Sequence, residues 1–411
     1  MIDMVKPADL KLFFADWACS KLCIVLVFFA ACASRVLKIS CKNRRKQKNV
    51  FVYANDLLGD TMLKLPFFFS LRSEFPRDQY RIVIVLSSVS AGILKRLSLF
   101  DEIIEEPSLH WRHPLFWIFG ENGPAGSLRW AFCNAAEVFM DCHRTRSLGC
   151  DFAMALSRPS MSVAYATNLE KPMLPASARY QAKRYDHRYT HLLLLEKGRH
   201  QMSDMDRLLS YATGREIKSA APAKNLLATM LDFSFVDSRM KSRYVVFVPG
   251  ARVEYRRWPI DRFIEVANRL KCTIVIVGSS EEARLAKMID AATNCRTIDL
   301  CGKTTLSQLG GVLCGADMVV SNETGTASYA AMLGTKTICI LGGGDFGAFF
   351  PNPYCENTLS VFHEDGCYHC GWKCKKANFD SLKAAPCINA ISVKDVMDAI
   401  AQLSGDKLGK G

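Results

Sequence analysis

Short apolar runs recur along this chain, separated by polar turns and by stretches with helical spacing. In the first half Val50–Tyr53, Arg81–Leu86 and Val138–Asp141 read as buried strands, and Phe100–Ile104 reads as the approach to another. An apolar helix begins near Thr61, where Pro66 either kinks it or resets its start. Residues 107–130 are rich in Trp, Pro and Gly and read as an irregular excursion. Residues 168–190 are polar, and Met202–Tyr211 is helical up to Gly214. After a segment of no clear period the pattern restarts. Tyr244–Val248, Thr273–Val277, Met318–Val320 and Thr337–Leu341 read as strands, with a short one near Thr297. Ile260–Leu270, Glu281–Ala292, Leu306–Leu313 and Ala327–Leu333 read as the helices between them, and residues 392–404 as an amphipathic helix. Strands alternating with helices predict parallel sheets. The expected organisation is an N-terminal segment (1–49), an α/β domain (50–215), a linker (216–243), a second α/β domain (244–391) and a C-terminal helix and tail (392–411).

Polar chemistry concentrates where strands end. Met318–Val320 runs into Ser321-Asn322-Glu323-Thr324-Gly325-Thr326 and then a small-residue helix stopped by Gly334. Open α/β sheets bind ligands at strand carboxyl ends. Hydroxyls and N–H groups at a helix N-terminus suit a phosphate, although the same turn also makes an ordinary capped helix start. Tyr244–Val248 ends in Pro249-Gly250-Ala251, a turn poor in side chains, followed by Arg256-Arg257-Trp258-Pro259. Two guanidinium forks match pyrophosphate oxygens, and a solvated basic turn before a helix is the other reading. The loop 342–347 fits the spacing G-x-G-x-x-G. The residues after it, Ala348 to Pro353, cannot start the helix that a dinucleotide fingerprint needs, so nicotinamide and flavin binding are rejected.

Composition changes the picture at the N-terminus. Of the net charge of +13, residues 1–49 carry +7, from ten Lys/Arg against three Asp/Glu. Leu22–Ala33 is an apolar run of twelve residues, and residues 42–48 hold five basic ones. A spanning helix needs about 20 apolar residues. Surface or shallow anchoring to an anionic membrane fits the pair of features, with a spanning helix or a cleaved signal as alternatives. No finger, RNA-binding sheet motif or basic recognition helix points to nucleic acid. The 17 cysteines are scattered singly in apolar runs, which fits a reducing compartment. Cys367, Cys370, Cys374 and Cys387 are the exception. Four thiolates at this spacing can close a structural zinc or an iron–sulfur site, or remain free thiols.

Four stretches, in order, resemble glycosyltransferase family 9, the ADP-heptose:lipopolysaccharide heptosyltransferases. They are Leu57-Leu58-Gly59-Asp60 with Pro66; Pro249-Gly250-Ala251 with Arg256-Arg257-Trp258-Pro259; Leu300 to Leu306 (LCGKTTL); and Ser321 to Gly325 with its Ala-rich helix. The resemblance implies a GT-B fold, two Rossmann-like domains facing across a cleft, with acceptor on the first and donor on the second. It implies an inverting transfer that requires no metal or other cofactor, from a nucleotide diphosphate sugar resembling ADP-heptose to a lipid-linked saccharide. It implies Asp60 as general base, where the residues alone favour a helix cap. It implies Arg256 at the donor phosphates and Gly250, Arg257, Glu323, Thr324, Gly325 and Thr326 around the donor. Glu323 and Ser328 depart from the aspartate and histidine usual in the family. They keep open a degenerate, non-catalytic nucleotide-sugar-binding subunit; the nearest enzymatic alternative is a GT-B sugar-nucleotide epimerase or hydrolase, which needs no lipid acceptor. The expected location is the cytoplasmic face of the inner membrane, peripheral or held by a single N-terminal anchor.

Overall fold

The strand-forming runs fall into two sets, each confined to one half of the chain. The computed structural model describes residues 47–106, 125–166, 185–364 and 366–405, apart from 145, 147, 197, 237–239, 241–242, 375 and 377–382. The apolar run at Leu22–Ala33, most of the basic stretch after it, residues 107–124 and most of 168–190 lie outside the described residues.

The first set is β1 (Lys48–Tyr53), β2 (Tyr80–Ser87), β3 (Glu102–Glu106), β4 (Val138–Asp141), β5 (Met161–Tyr165) and β6 (His191–Leu193). The second is β7 (Tyr244–Val248), β8 (Thr273–Ile276), β9 (Thr297–Asp299), β10 (Met318–Asn322), β11 (Thr337–Ile340) and β12 (Thr358–Val361). Each set makes one six-stranded sheet, in the orders β3-β2-β1-β4-β5-β6 and β12-β11-β10-β7-β8-β9. Every neighbouring pair is parallel. Counted from the first strand of each set, the two orders are the same.

The helices between and after these strands are α1 (Leu58–Leu63), α2 (Leu65–Glu74), α3 (Ser88–Leu94), α4 (Ala125–Cys133), α5 (Leu148–Ser157) and α6 (Gln201–Thr213) in the first half. In the second they are α7 (Ile260–Leu270), α8 (Ala283–Ala292), α9 (Leu306–Cys314), α10 (Gly325–Met332) and α11 (Val393–Ser404).

Parallel strands covered on both faces are apolar throughout, because successive side chains point to opposite sides. In β1, Val50 and Val52 enter one core while Phe51 and Tyr53 enter another. The second sheet divides likewise, with Val246 and Val319 on one face and Val245 and Phe247 on the other. The core that receives Val50 and Val246 is continuous from one sheet to the other, and Met62, Ala327 and Tyr329 belong to it. The halves are thus joined by shared apolar burial, while each outer face keeps a core of its own.

Several expectations are resolved in detail. Pro66 resets the helix: α1 ends at Leu63 and α2 starts at Leu65, with the proline in its first turn where its missing N–H has no intrahelical partner to lose. Phe100 is buried ahead of the strand, which runs from Glu102. The linker holds a helical turn, Lys224–Leu227, and is bonded to both halves: the Ser219 N–H donates to Asp206 in the first and the Asp232 N–H to Ser307 in the second. Gly214 and Gly334 do end their helices with positive φ, 73° and 72°.

Candidate active site

Both sheets reverse their strand order between their first and fourth strands, at β1/β4 and at β7/β10. Ligands of open parallel sheets bind outside such points. The segments that follow these four strands carry Asp56 and, in the first turn of α1, Asp60; His143; Gly250 and Arg256; and Glu323. They meet where α1 packs on the start of α10. A methyl group added to Gly59 would lie 2.7 Å from Gly325 Cα, so the two backbones touch.

Asp60 is the third residue of α1, whose N-cap is Leu57 with no side-chain cap. Asp60 is therefore not the helix cap that the sequence also allowed. Its carboxylate accepts from the Gln201 amide at 3.3 Å. Burial first, and Asp56 second, push its pKa up to about 6 against the opposing pull of Lys64, Gln201 and His143. Around it Lys64, fully buried, pairs with Asp56. His143 Nδ1 lies 2.7 Å from Asp141 and its Nε2 3.8 Å from Asp56. Burial opposes the charge on His143, yet Asp56 and Asp141 outweigh it and raise the imidazole to about 9. A carboxylate so surrounded is a base poised near neutral pH.

On the facing side Glu323 is 7% exposed and accepts from Arg256 at 2.8 Å. Burial raises its pKa to about 7, Arg256 holds it down, and Asp345 and Asp60 push it up. The contact of Gly59 with Gly325 brings Asp60 and Glu323 to the same seam. Arg256 also lies 4.8 Å from the ring of Trp372 and 4.0 Å from Asp345, to which the indole N–H donates at 2.8 Å. Glu323 Oε1 and Arg256 Nε are buried without hydrogen-bond partners. Such atoms await a ligand or water.

The remaining expected residues divide. Thr324 caps α10 by accepting from Ala327, and Gly325 and Thr326 open the helix at the seam. Gly250 has the Glu282 side chain pressed against it, with Cγ 2.4 Å and the carboxyl carbon 2.7 Å from the position of a Cβ. Arg257 turns away from its neighbour: it donates to Ala251 and Glu254 and braces its own turn. One guanidinium, not two, faces the cleft. Ser328 is buried under Gly59.

Other residues had no sequence signal strong enough to single them out. Asn322 holds the two donor-side loops together, giving its amide to Pro249 and accepting the Trp258 N–H at 2.7 and 3.0 Å. Trp372 comes from the cysteine-rich segment, whose backbone donates to Gly343 and Gly344. The thiols there are near one another: burial raises Cys370 and Cys387, and Cys367 and Cys374 add to it. Among the described residues, no group of three or more His, Cys, Asp and Glu has the geometry to hold a metal ion, and all four thiols are free. No helix of the described residues is long and apolar enough to cross a membrane.

The family model "Glycosyltransferase family 9 (heptosyltransferase)" matches residues 176–378. Lipopolysaccharide core heptosyltransferase OpsX of Haemophilus influenzae is 23% identical over 39% of this chain and 48% of its own length. Lipopolysaccharide heptosyltransferase 3 of Escherichia coli K12 is 28% identical over 30% and 37%. The chain thus spans about half or less of the curated relatives it matches. Among solved structures, a family 9 glycosyltransferase from Veillonella parvula superposes with a TM-score of 0.64 at 17% identity, covering 88% of this chain and 98% of that one. The E. coli heptosyltransferase WaaC with ADP gives 0.61 at 16% identity, covering 86% and 99%. The structural likenesses show the two-sheet GT-B fold, and the family match over residues 176–378 together with the curated relatives makes the chain similar to the heptosyltransferases of glycosyltransferase family 9.

Proposed function

We propose that this chain is an inverting glycosyltransferase. It moves a sugar, heptose or similar, from a nucleotide diphosphate sugar to a lipid-linked saccharide acceptor in the synthesis of lipopolysaccharide or a related surface glycan. The observation that carries the reading is the backbone contact of Gly59 with Gly325, which brings Asp60 to the same seam as the Arg256–Glu323 pair. The acceptor hydroxyl attacks the anomeric carbon from the face opposite the diphosphate, and the bond from that carbon to the diphosphate oxygen breaks. The hydroxyl proton goes to Asp60. Arg256 meets the negative charge that gathers on the leaving diphosphate, and Glu323 holds donor hydroxyls. The N-terminus of α10 adds partial positive charge on the same side.

Residues 1–49 fit attachment at the cytoplasmic membrane surface, peripheral or by a single anchor. That would bring the cleft to a lipid-linked acceptor while donor arrives from solution. The test is incubation of the full chain with ADP-heptose and lipopolysaccharide that ends before its first heptose. Transfer with inverted anomeric configuration, read by NMR, supports the proposal. ADP release without acceptor supports a hydrolase or epimerase instead, and ADP binding without turnover a binding subunit.

A further inference from the structure

Gln201, the first residue of α6, stands at the junction of the two halves and is 2% exposed. Three contacts fasten this turn to the segment after the glycine loop. The Gln201 N–H donates to the Ala348 carbonyl at 2.9 Å, His200 Nε2 donates to Phe349 at 2.9 Å, and the Ser203 and Tyr354 hydroxyls are 2.9 Å apart. His200 Nδ1 accepts from Met202, which leaves Nε2 as the protonated nitrogen. Burial pushes the His200 pKa down to about 4, so this fastening stays neutral at ordinary pH.

The Gln201 side chain reaches in the other direction. Its amide nitrogen donates to Asp60, and its oxygen is buried without a partner. The orientation follows from chemistry, since an ionised carboxylate can only accept. A buried carbonyl left unpaired is unfavourable by about 1–3 kcal/mol. A sugar hydroxyl approaching Asp60 would supply the missing donor.

We propose that Gln201 is a positioning residue for the transfer: its amide N–H aims the Asp60 carboxylate, and its open carbonyl oxygen receives a hydroxyl hydrogen of the acceptor saccharide. This rests on the reading of Asp60 as general base. The charged groups that act on Asp60 are Asp56, Lys64 and His143 on its own side, and Glu323 interacts with it across the seam. The Gln201 hydrogen bond favours the ionised form of Asp60, against burial and Asp56.

The experiment compares Gln201→Met, Gln201→Glu and Asp60→Asn in the full chain, using ADP-heptose and heptose-free lipopolysaccharide across pH 5–9. Gln201→Glu keeps the length of the side chain and, by sharing one proton with Asp60, can keep the hydrogen bond, so it is the milder change where the apolar variant weakens the fold, and thermal melting checks both. The expected result is a kcat at pH 7 lowered by about 10-fold or more in both Gln201 variants, the loss of a charge-assisted hydrogen bond. Affinity for ADP stays within about twofold. The acidic limb of the rate profile moves to higher pH, further in Gln201→Glu than in Gln201→Met. A merely structural role would leave that limb in place. An active Asp60→Asn overturns the base assignment and this inference together. An inactive Asp60→Asn with wild-type profiles in both Gln201 variants overturns this inference alone.

Discussion

Gly59 and Gly325 come from opposite halves of the chain and meet backbone to backbone: a Cβ on Gly325 would lie 2.9 Å from the Gly59 amide nitrogen. Neither has a positive φ, so the constraint is space alone. Because the apolar core is continuous beneath this contact, a methyl group here forces the seam apart. Gly59→Ala and Gly325→Ala should each lower turnover by about 10-fold or more, since small misplacements of reacting groups are expensive. Each half should keep its circular dichroism. Wild-type kinetics in both variants would mean the seam tolerates opening.

Asp60→Asn should leave ADP affinity intact and lower turnover by about 100-fold or more. Its effect on stability has a defined sign. The folded Asp60 pKa, about 6, is above the ordinary carboxylate value. Its proton therefore stabilises the fold below the unfolded value, and that contribution is lost as pH rises through 6. The asparagine variant should melt no lower than wild type at pH 8 and lose that advantage near pH 4. A lower melting temperature at pH 8 would make Asp60 a structural residue.

Arg256→Ala should weaken ADP binding by about 1.5–3 kcal/mol, as expected for a charge-assisted hydrogen bond. Arg256→Lys should not restore it, because the fork is lost. Glu323, raised to about 7 chiefly by burial, gives the donor a pH signature. If its carboxylate accepts donor hydroxyls, ADP-heptose affinity rises with pH through 7, and Glu323→Gln removes the dependence. Calorimetry with ADP and with ADP-heptose separates the two effects. Equal loss for both ligands in Glu323→Gln would move its role from sugar to nucleotide.

Deleting residues 1–47 should leave ADP binding unchanged and reduce transfer to acceptor in membranes. Neutralising Lys42, Arg44, Arg45, Lys46 and Lys48 should make binding to anionic vesicles weaker and less sensitive to salt. Flotation of full chain and variants with vesicles measures both. Full chain that fails to float at low salt would remove the membrane from the proposal.

The parallel sheets were legible because strands such as Arg81–Leu86 and Tyr244–Val248 are apolar on both faces. β5, β6 and β12 were not. β6 has only three residues, His191–Leu193, and β6 and β12 both lie at a sheet edge. Arg256 and Glu323 were nameable one by one, but their pairing spans 67 positions and no local pattern encodes it. The same holds for Arg257, whose turn toward Ala251 depends on the loop's fold. Gln201 had no signal at all: a glutamine at a helix start is common, and only the Ala348 and Asp60 contacts set it apart.

Trp372 has a consequence for observation. Its indole lies against Gly344, donates to Asp345 and faces the Arg256 guanidinium. Trp258 and Trp130 are buried in apolar cores, so their surroundings should hardly change when ligand arrives. A diphosphate that draws Arg256 to itself would alter the electric field at the Trp372 ring. Its emission should shift as donor is added, and the shift should vanish in Trp372→Phe. The cleft would then carry its own optical probe of occupancy, readable in milliseconds by stopped flow.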